Sequence, residues 1–422
     1  MNVSWVRAAS ACVACWALSL PAAQAESLTL RAAVALVVEG NPELAAFAEY
    51  SNAAREQAGV QSLAPNPVIE LQLENFAGSG DLSGVSALET TLQLSRVVEL
   101  GGKARLRQQL GEVQLHRLTA EQHARRTDVL AEVARRFVLV LANQERLAAR
   151  QRAVVLAEEA AHAVRSRVDA GVASPVQSSR AAIALARANI AREHAEHELL
   201  GSRVALAVLW NEETPQFSAV SGALLRLDAH ESFDTYRKRL DGNPDLLTFA
   251  STHRVLDARV QLEEAQRRPS VTFNVGVRRI EFVDAGALVA GVAVPFGTRG
   301  RVDGELRSVR AERAALTLTE QSRRLELHST LFSLYQELSH ARTEADVLRE
   351  GILPQARHML ETTRTGYQAG RFSFPELADA QGQLLEIELE AIDAAARFHL
   401  QLIEIERLTG QSVGRHVQEV SP

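Results

Sequence analysis

His194 and His197 stand one helical turn apart in Glu193-His-Ala-Glu-His-Glu198, a spacing that can hold a divalent ion. The same six residues also read as the solvated face of a coiled coil, and the other histidines are scattered. Cys12 and Cys15 are the only thiols, and both fall in the apolar stretch that opens the chain. If that stretch is removed, disulfide frameworks, Cys–metal sites and cysteine catalysis go with it. No Ser/His/Asp cluster, Gly-rich phosphate loop or metal-ligand cluster appears, so an enzyme is the least favoured class and no cofactor is expected. The formal charge is −6 with both signs mixed throughout and no basic block, which argues against a nucleic-acid partner.

The polar side chains that remain are arranged in lines. Val68-Ile-Glu-Leu-Gln-Leu-Glu-Asn-Phe76 puts Ile69, Leu71 and Leu73 on one side and Glu70, Gln72 and Glu74 on the other. After the turn-rich Gly78–Gly84 segment, Leu88, Leu92 and Leu94 alternate with Glu89, Thr91 and Gln93. Period two marks strands, and the Gly, Asp and Ser between them mark a hairpin. A second pair follows at Ser270–Val277, with Val271, Phe273, Val275 and Val277 on one face, and at Leu288–Val294. Each strand of the first hairpin has about the ten residues that a tilted strand needs to cross a bilayer. Unpaired edges in lipid leave backbone groups unsatisfied, and a barrel needs about eight strands or more. Four strands must therefore combine with those of other copies.

The rest of the chain predicts helices. Residues 1–25 have one basic residue, Arg7, then an apolar run and Ala23-Gln24-Ala25, and read as a secretory leader. No later window is apolar enough for a spanning helix. From Lys103 to Ala170 there is no proline, and Val133, Val140, Leu147, Val154, Ala161 and Val168 recur every seven residues. That is a coiled-coil pattern on a helix of about 100 Å. Leu327, Leu331, Leu334, Leu338, Ala341, Ala345, Leu348 and Ile352 form a second seam, with Pro354 expected to interrupt its helix.

Four features then recur in the same order. Asn41-Pro-Glu-Leu44 is echoed by Asn243-Pro-Asp-Leu246, and the prolines Pro65 and Pro67 by Pro269. Gly101-Gly-Lys-Ala-Arg105 is echoed by Gly297-Thr-Arg-Gly-Arg301, and Asp169-Ala-Gly-Val-Ala-Ser-Pro175 by Gln368-Ala-Gly-Arg-Phe-Ser-Phe-Pro375. The chain reads as one unit duplicated. The first repeat is 26–210, with hairpin 67–96, long helix 103–170 and return helix 174–210. The second is 233–409, with hairpin 269–296, long helix 301–369 and return helix 375–409. Segments 211–232 and 410–422 are placed as an equatorial collar and a tail.

This order, with the Asn-Pro-acid-Leu helix starts and the Ala-Gly turns, resembles the TolC-like outer-membrane efflux proteins over the whole mature chain. Pro65-Asn-Pro-Val-Ile-Glu-Leu-Gln-Leu-Glu-Asn75 and Val98-Glu-Leu-Gly-Gly-Lys-Ala-Arg105 look most like the branch that serves heavy-metal cation exporters. The resemblance implies a mainly α chain with a transmembrane β part. Three copies would form a twelve-stranded outer-membrane barrel continuous with an α-helical periplasmic tunnel. It further implies a passive duct for divalent cations (nickel, cobalt, zinc or cadmium), working with a periplasmic adaptor of the membrane-fusion class. A proton-driven inner-membrane pump of the resistance–nodulation–division class would supply the energy. By position in the family's tip, Glu376 and Asp379 would ring the periplasmic constriction, although the first of these is usually Asp. They stand three apart and so share a helical face, and acids there also stabilise a helix N-terminus. A duct for drugs or secreted proteins fits the same architecture. A periplasmic adaptor, with one hairpin rather than two, fits it poorly.

Overall fold

The computed structural model describes residues 27–297 and 299–412. The leader expected over 1–25, with its two cysteines, and the tail from residue 413 lie outside the described residues. In chain order the elements are β1 (Leu28–Thr29), α1 (Leu30–Gly40), α2 (Pro42–Ser62), β2 (Val68–Glu74), β3 (Glu89–Val98), α3 (Lys103–Asp169) and α4 (Pro175–Ala207). They continue with β4 (Val220–Ser221), α5 (Phe233–Arg239), α6 (Pro244–Gln266), β5 (Val271–Ile280) and β6 (Ala285–Ala293). The chain then runs through α7 (Arg299–Asp346), a π turn (Val347–Ile352), α8 (Leu353–Gln368) and α9 (Phe374–Leu408). No described helix is long and apolar enough to cross a membrane.

The repeated motifs have repeated mechanics. Asn41 caps α2 by accepting from Leu44 N at 2.9 Å, and its amide donates to Leu209 O at 2.7 Å. Asn243 does the same for α6, accepting from Leu246 N at 3.1 Å and donating to Leu408 O at 2.9 Å. Each asparagine thus ties the start of one helix to the end of its half's return helix, while proline supplies the first helical position. The two tip turns also match. Gly171 and Gly370 take φ of 74° and 75°, which lets the carbonyls of Arg167 and Gly366 accept from the residue after each glycine.

The long helices pack around one core where α3, α7 and α9 meet, with Phe137, Val140, Leu331, Leu338, Phe398 and Ile405 fully buried. Segment 211–232 crosses this level. Val220 of β4 pairs in parallel with Leu28 of β1, and Gln144 of α3 bonds both its amide and carbonyl. Arg349 donates to Leu225 O at 2.5 Å, and His399 Nε2 lies 2.9 Å from Leu224 O.

One sequence expectation is corrected here. Along the seam Leu327, Leu331, Leu338, Ala341, Ala345 and Leu348 are buried and Leu334 is half-buried, but Ile352 is 39 % exposed. The π turn inserts one extra residue into the helical repeat, so the seam steps on to the half-buried Leu353 and then to Ala356 and Leu360. Pro354 follows the π turn inside continuous helix, so its missing N–H is absorbed without a break.

Strands β2, β3, β5 and β6 form one antiparallel sheet in that order. Its register aligns Ile69, Leu94, Val275 and Ala290 in one row and Leu71, Leu92, Val277 and Leu288 in the next. On this apolar face Ile69, Leu71, Leu92, Leu94, Val275 and Leu288 are 46–85 % exposed, so nothing among the described residues covers it. The outer edges of β2 and β6 have no partner strand among the described residues.

Candidate functional site

The other face of the sheet is polar and bonded across strands. Glu70 accepts from Gln93 Nε2 at 2.8 Å, and Gln93 accepts in turn from Asn274 Nδ2 at 3.0 Å. Nearer the loops, Glu74 and Glu89 face each other across the β2–β3 pair. Two carboxylates so placed repel, and Arg278 of β5 resolves the conflict. Its guanidinium reaches Glu89 at 2.8 Å, Glu74 at 3.1 Å and Thr91 Oγ1 at 3.0 Å. The sequence puts Glu70, Gln72, Glu74 and Thr91 on one face. Arg278, the partner of Glu74, Glu89 and Thr91, lies about 190–200 residues away, so only the pairing of β3 with β5 could reveal it.

At the far end of the helices a second small core holds the tip, with Val164, Tyr367, Phe374 and Leu377 among its members. Arg167 of α3 donates to Tyr367 O at 2.5 Å and lies 4.9 Å over the Tyr367 ring, fastening one hairpin to the other. Arg371, by contrast, is exposed. Gly366 lets the Phe372 ring lie directly on the helix, since a Cβ there would stand 2.0 Å from the ring and push it aside.

Glu376 and Asp379 both lie exposed at the start of α9. Glu376 completes a capping box, accepting from Ser373 N at 2.6 Å and from Ser373 Oγ at 2.8 Å. Those two donors, the backbone one first, hold its carboxyl below the usual glutamate range. Asp379 accepts from Gln383 Nε2 at 2.8 Å. The pair is brought together on one turn, and the cap uses only one oxygen of Glu376.

His194 lies 3.4 Å from Glu198 and both His194 and His197 are exposed. Among the described residues, no three His, Cys, Asp or Glu side chains gather as metal ligands do. A groove of about 370 Å³ between α3, α4 and α9 is floored by Ala153, Ala188 and Gly382 and rimmed by Arg152, Arg187 and Glu388.

The junction of sheet and helices carries a cluster that sequence reasoning missed. Arg107 forks onto Glu99 at 2.8 and 2.6 Å and also donates to Gln61 O at 2.6 Å and Leu63 O at 3.0 Å. Lys103, 5 % exposed, reaches Ser270 Oγ at 3.1 Å. The Glu-x₃-Lys-x₃-Arg spacing was the available clue, since it places three charges at a strand-to-helix exit.

Comparison with known proteins agrees with this architecture. The family model described as outer membrane efflux protein matches residues 33–212 and 235–411. The cobalt-zinc-cadmium resistance protein CzcC of Cupriavidus metallidurans is 27% identical over 394 residues, spanning 93% of this chain and 92% of that protein. The nickel-cobalt-cadmium resistance protein NccC of Alcaligenes xylosoxydans is 24% identical, over 60% of this chain and 57% of that one. Among solved structures, the channel-forming CusC superposes with a TM-score of 0.73 at 15% identity, over 90% of this chain and 92% of that chain.

Proposed function

This chain belongs to the outer membrane efflux proteins, and from that premise we propose that three copies form a duct passing divalent heavy-metal cations out of the periplasm. One observation carries the reading: a four-stranded sheet with an exposed apolar face, a hydrogen-bonded polar face and two free edges. In a bilayer such edges must pair, and copies that pair β2 with a neighbour's β6 leave no edge. The apolar face then meets lipid, and Glu70, Gln93, Asn274 and Arg278 line water. Residues 1–25 act as the export leader, and the repeats 26–210 and 233–409 each contribute one hairpin and one helical pair. An inner-membrane proton-driven pump supplies energy, and a periplasmic adaptor lays helices on the Ala-floored groove at α3, α4 and α9. The cargo class rests on the metals named for CzcC and NccC.

The test is a deletion strain exposed to nickel, cobalt, zinc and cadmium and to a panel of drugs, with cell-associated metal measured in parallel. Sensitivity to those metals with metal retained is the expected result. Sensitivity to drugs alone would move the duct to a drug system.

Glu376 and Asp379 are assigned to the cation-selective constriction from their position at the start of α9, which matches the tip of the family, and three copies would set six carboxylates around one opening. Glu376→Gln with Asp379→Asn keeps the capping geometry and removes the charge. In planar bilayers its cation-over-anion permeability should fall several-fold, while the channel still assembles and inserts. An unaltered reversal potential would put these carboxylates off the pore. The pH dependence follows from the cap: with its pKa lowered on folding, Glu376 is fully charged above the ordinary glutamate range. Its share of the selectivity is lost only as pH falls through the lowered value.

A further inference from the structure

Arg96 stands on the apolar face of the sheet. Alternation along β3 puts it in line with Leu92, Leu94 and Val98, and the register sets it beside Phe273 of β5. The rows on either side are apolar, Leu94 opposite Val275 towards the loops and Val98 opposite Val271 towards the helices. Its side chain is exposed and has no carboxylate partner among the described residues. Arg279, on the same face at the loop end, is instead paired with Glu281 and Asp284. Nor would closure of the barrel supply an acid, because the strand arriving beside β2 is β6, Ala-Gly-Ala-Leu-Val-Ala-Gly-Val-Ala. A guanidinium among apolar rows is costly unless an anion or water meets it.

The surface next to it has a shape. A groove of about 500 Å³ runs from Arg96 between Leu94, Phe273, Val275, Ala290 and Val292. A second, of about 360 Å³, continues between Ile69, Leu92, Val277 and Leu288 and shares Leu94 and Val275 with the first. Together they form an apolar track that starts at a cation near the helical end of the sheet and leads towards the loops.

We propose that Arg96 binds the phosphate of an anionic glycerophospholipid in the periplasm-facing leaflet, with an acyl chain lying in this track. The inference rests on the barrel reading given above. The planar guanidinium matches a phosphodiester through paired donors, and its level near the helical end of β3 matches the headgroup boundary that arginine reaches by extending along the wall. The small side chain of Ala290 provides the floor.

The experiment is native mass spectrometry of the protein purified in mild detergent and incubated with phosphatidylglycerol or with zwitterionic phosphatidylcholine. The wild-type trimer should retain phosphatidylglycerol several-fold more than phosphatidylcholine. Arg96→Leu should lose that excess, and Arg96→Lys should keep part of it. Ala290→Phe should lower retention of both lipids with the arginine intact. Equal phosphatidylglycerol retention by the wild type and Arg96→Leu, both as trimers, would overturn the site. Equal retention of the two lipids by the wild type would overturn the headgroup assignment. A wild type found only as lipid-free monomer would overturn the barrel reading and the inference with it.

Discussion

Leu71→Arg is expected to abolish assembly in the outer membrane, whereas Glu70→Gln, one residue away, leaves it intact. Leu71 is 61 % exposed in the row with Leu92, Val277 and Leu288, one row in from the row of Leu73, Thr90 and Arg279. An arginine facing lipid near the bilayer midplane costs about 2–4 kcal/mol, and three copies raise this to about 6–12 kcal/mol per trimer. That is as large as the whole stability of many domains. Leu73→Arg should cost less, because Leu73 is level with Arg279 near the rim, where the penalty falls towards about 0–1 kcal/mol. Glu70 points to the opposite face, and a glutamine there still offers Gln93 an acceptor. The measurement is the heat-modifiable trimer band in outer-membrane fractions of the three variants. A normal trimer in Leu71→Arg would mean that this face does not meet lipid.

That comparison works because strand faces are legible in sequence. Period two fixes which side chains share a side, and the first three runs carry it openly, whereas β6 alternates apolar with small residues and shows it only faintly; the register that sets Leu71 level with Val277 depends on partners about 200 residues apart. The repeat was legible for a similar reason. Asn41 and Asn243 act on amides three residues ahead, which is local chemistry, and local chemistry leaves local motifs. Their second bonds, to Leu209 and Leu408, could not be read, being set by how each half folds back. The π turn escaped because an inserted residue leaves every individual side chain plausible and shifts only the phase of those beyond it. At the tip, Ser373-x-x-Glu376 is a capping-box spacing visible in the sequence, and the structure makes the bond. The Arg167–Tyr367 contact joins two hairpins and has no sequence signature. Trimer closure is made between chains, so the proposed ring of Glu376 and Asp379 leaves no local pattern beyond two acids on one helical turn.

Arg107→Ala should loosen the joint between sheet and helices by about 2–4 kcal/mol per chain. Arg107 holds three things with one guanidinium: the carboxylate of Glu99 at the exit of β3, and the carbonyls of Gln61 and Leu63 at the end of α2. Glu99 and Arg107 are only 14 % and 21 % exposed, so truncation strands a half-buried carboxylate and two carbonyls together. The backbone nearby cannot compensate by shifting. Gly101 takes a φ of 89°, and a Cβ there would come within 3.0 Å of the Arg268 side chain, so the strand exit is fitted against the end of α6. Arg107→Lys should recover little, because a point charge cannot serve a carboxylate and two carbonyls in the geometry of a planar fork. Hydrogen bonds from Arg107 also hold the Glu99 carboxyl below its ordinary range. The clamp therefore contributes fully above the usual carboxylate pKa and is lost only as pH falls through the lowered one. The readout is the trimer's melting temperature in detergent, together with protease sensitivity of the segment 61–67. Arg107→Ala should melt several degrees lower and be cut there, while its single-channel cation preference stays that of the wild type, because the tip is a helix length away. An unshifted melting temperature would show that the sheet is carried by its own closure and needs no clamp.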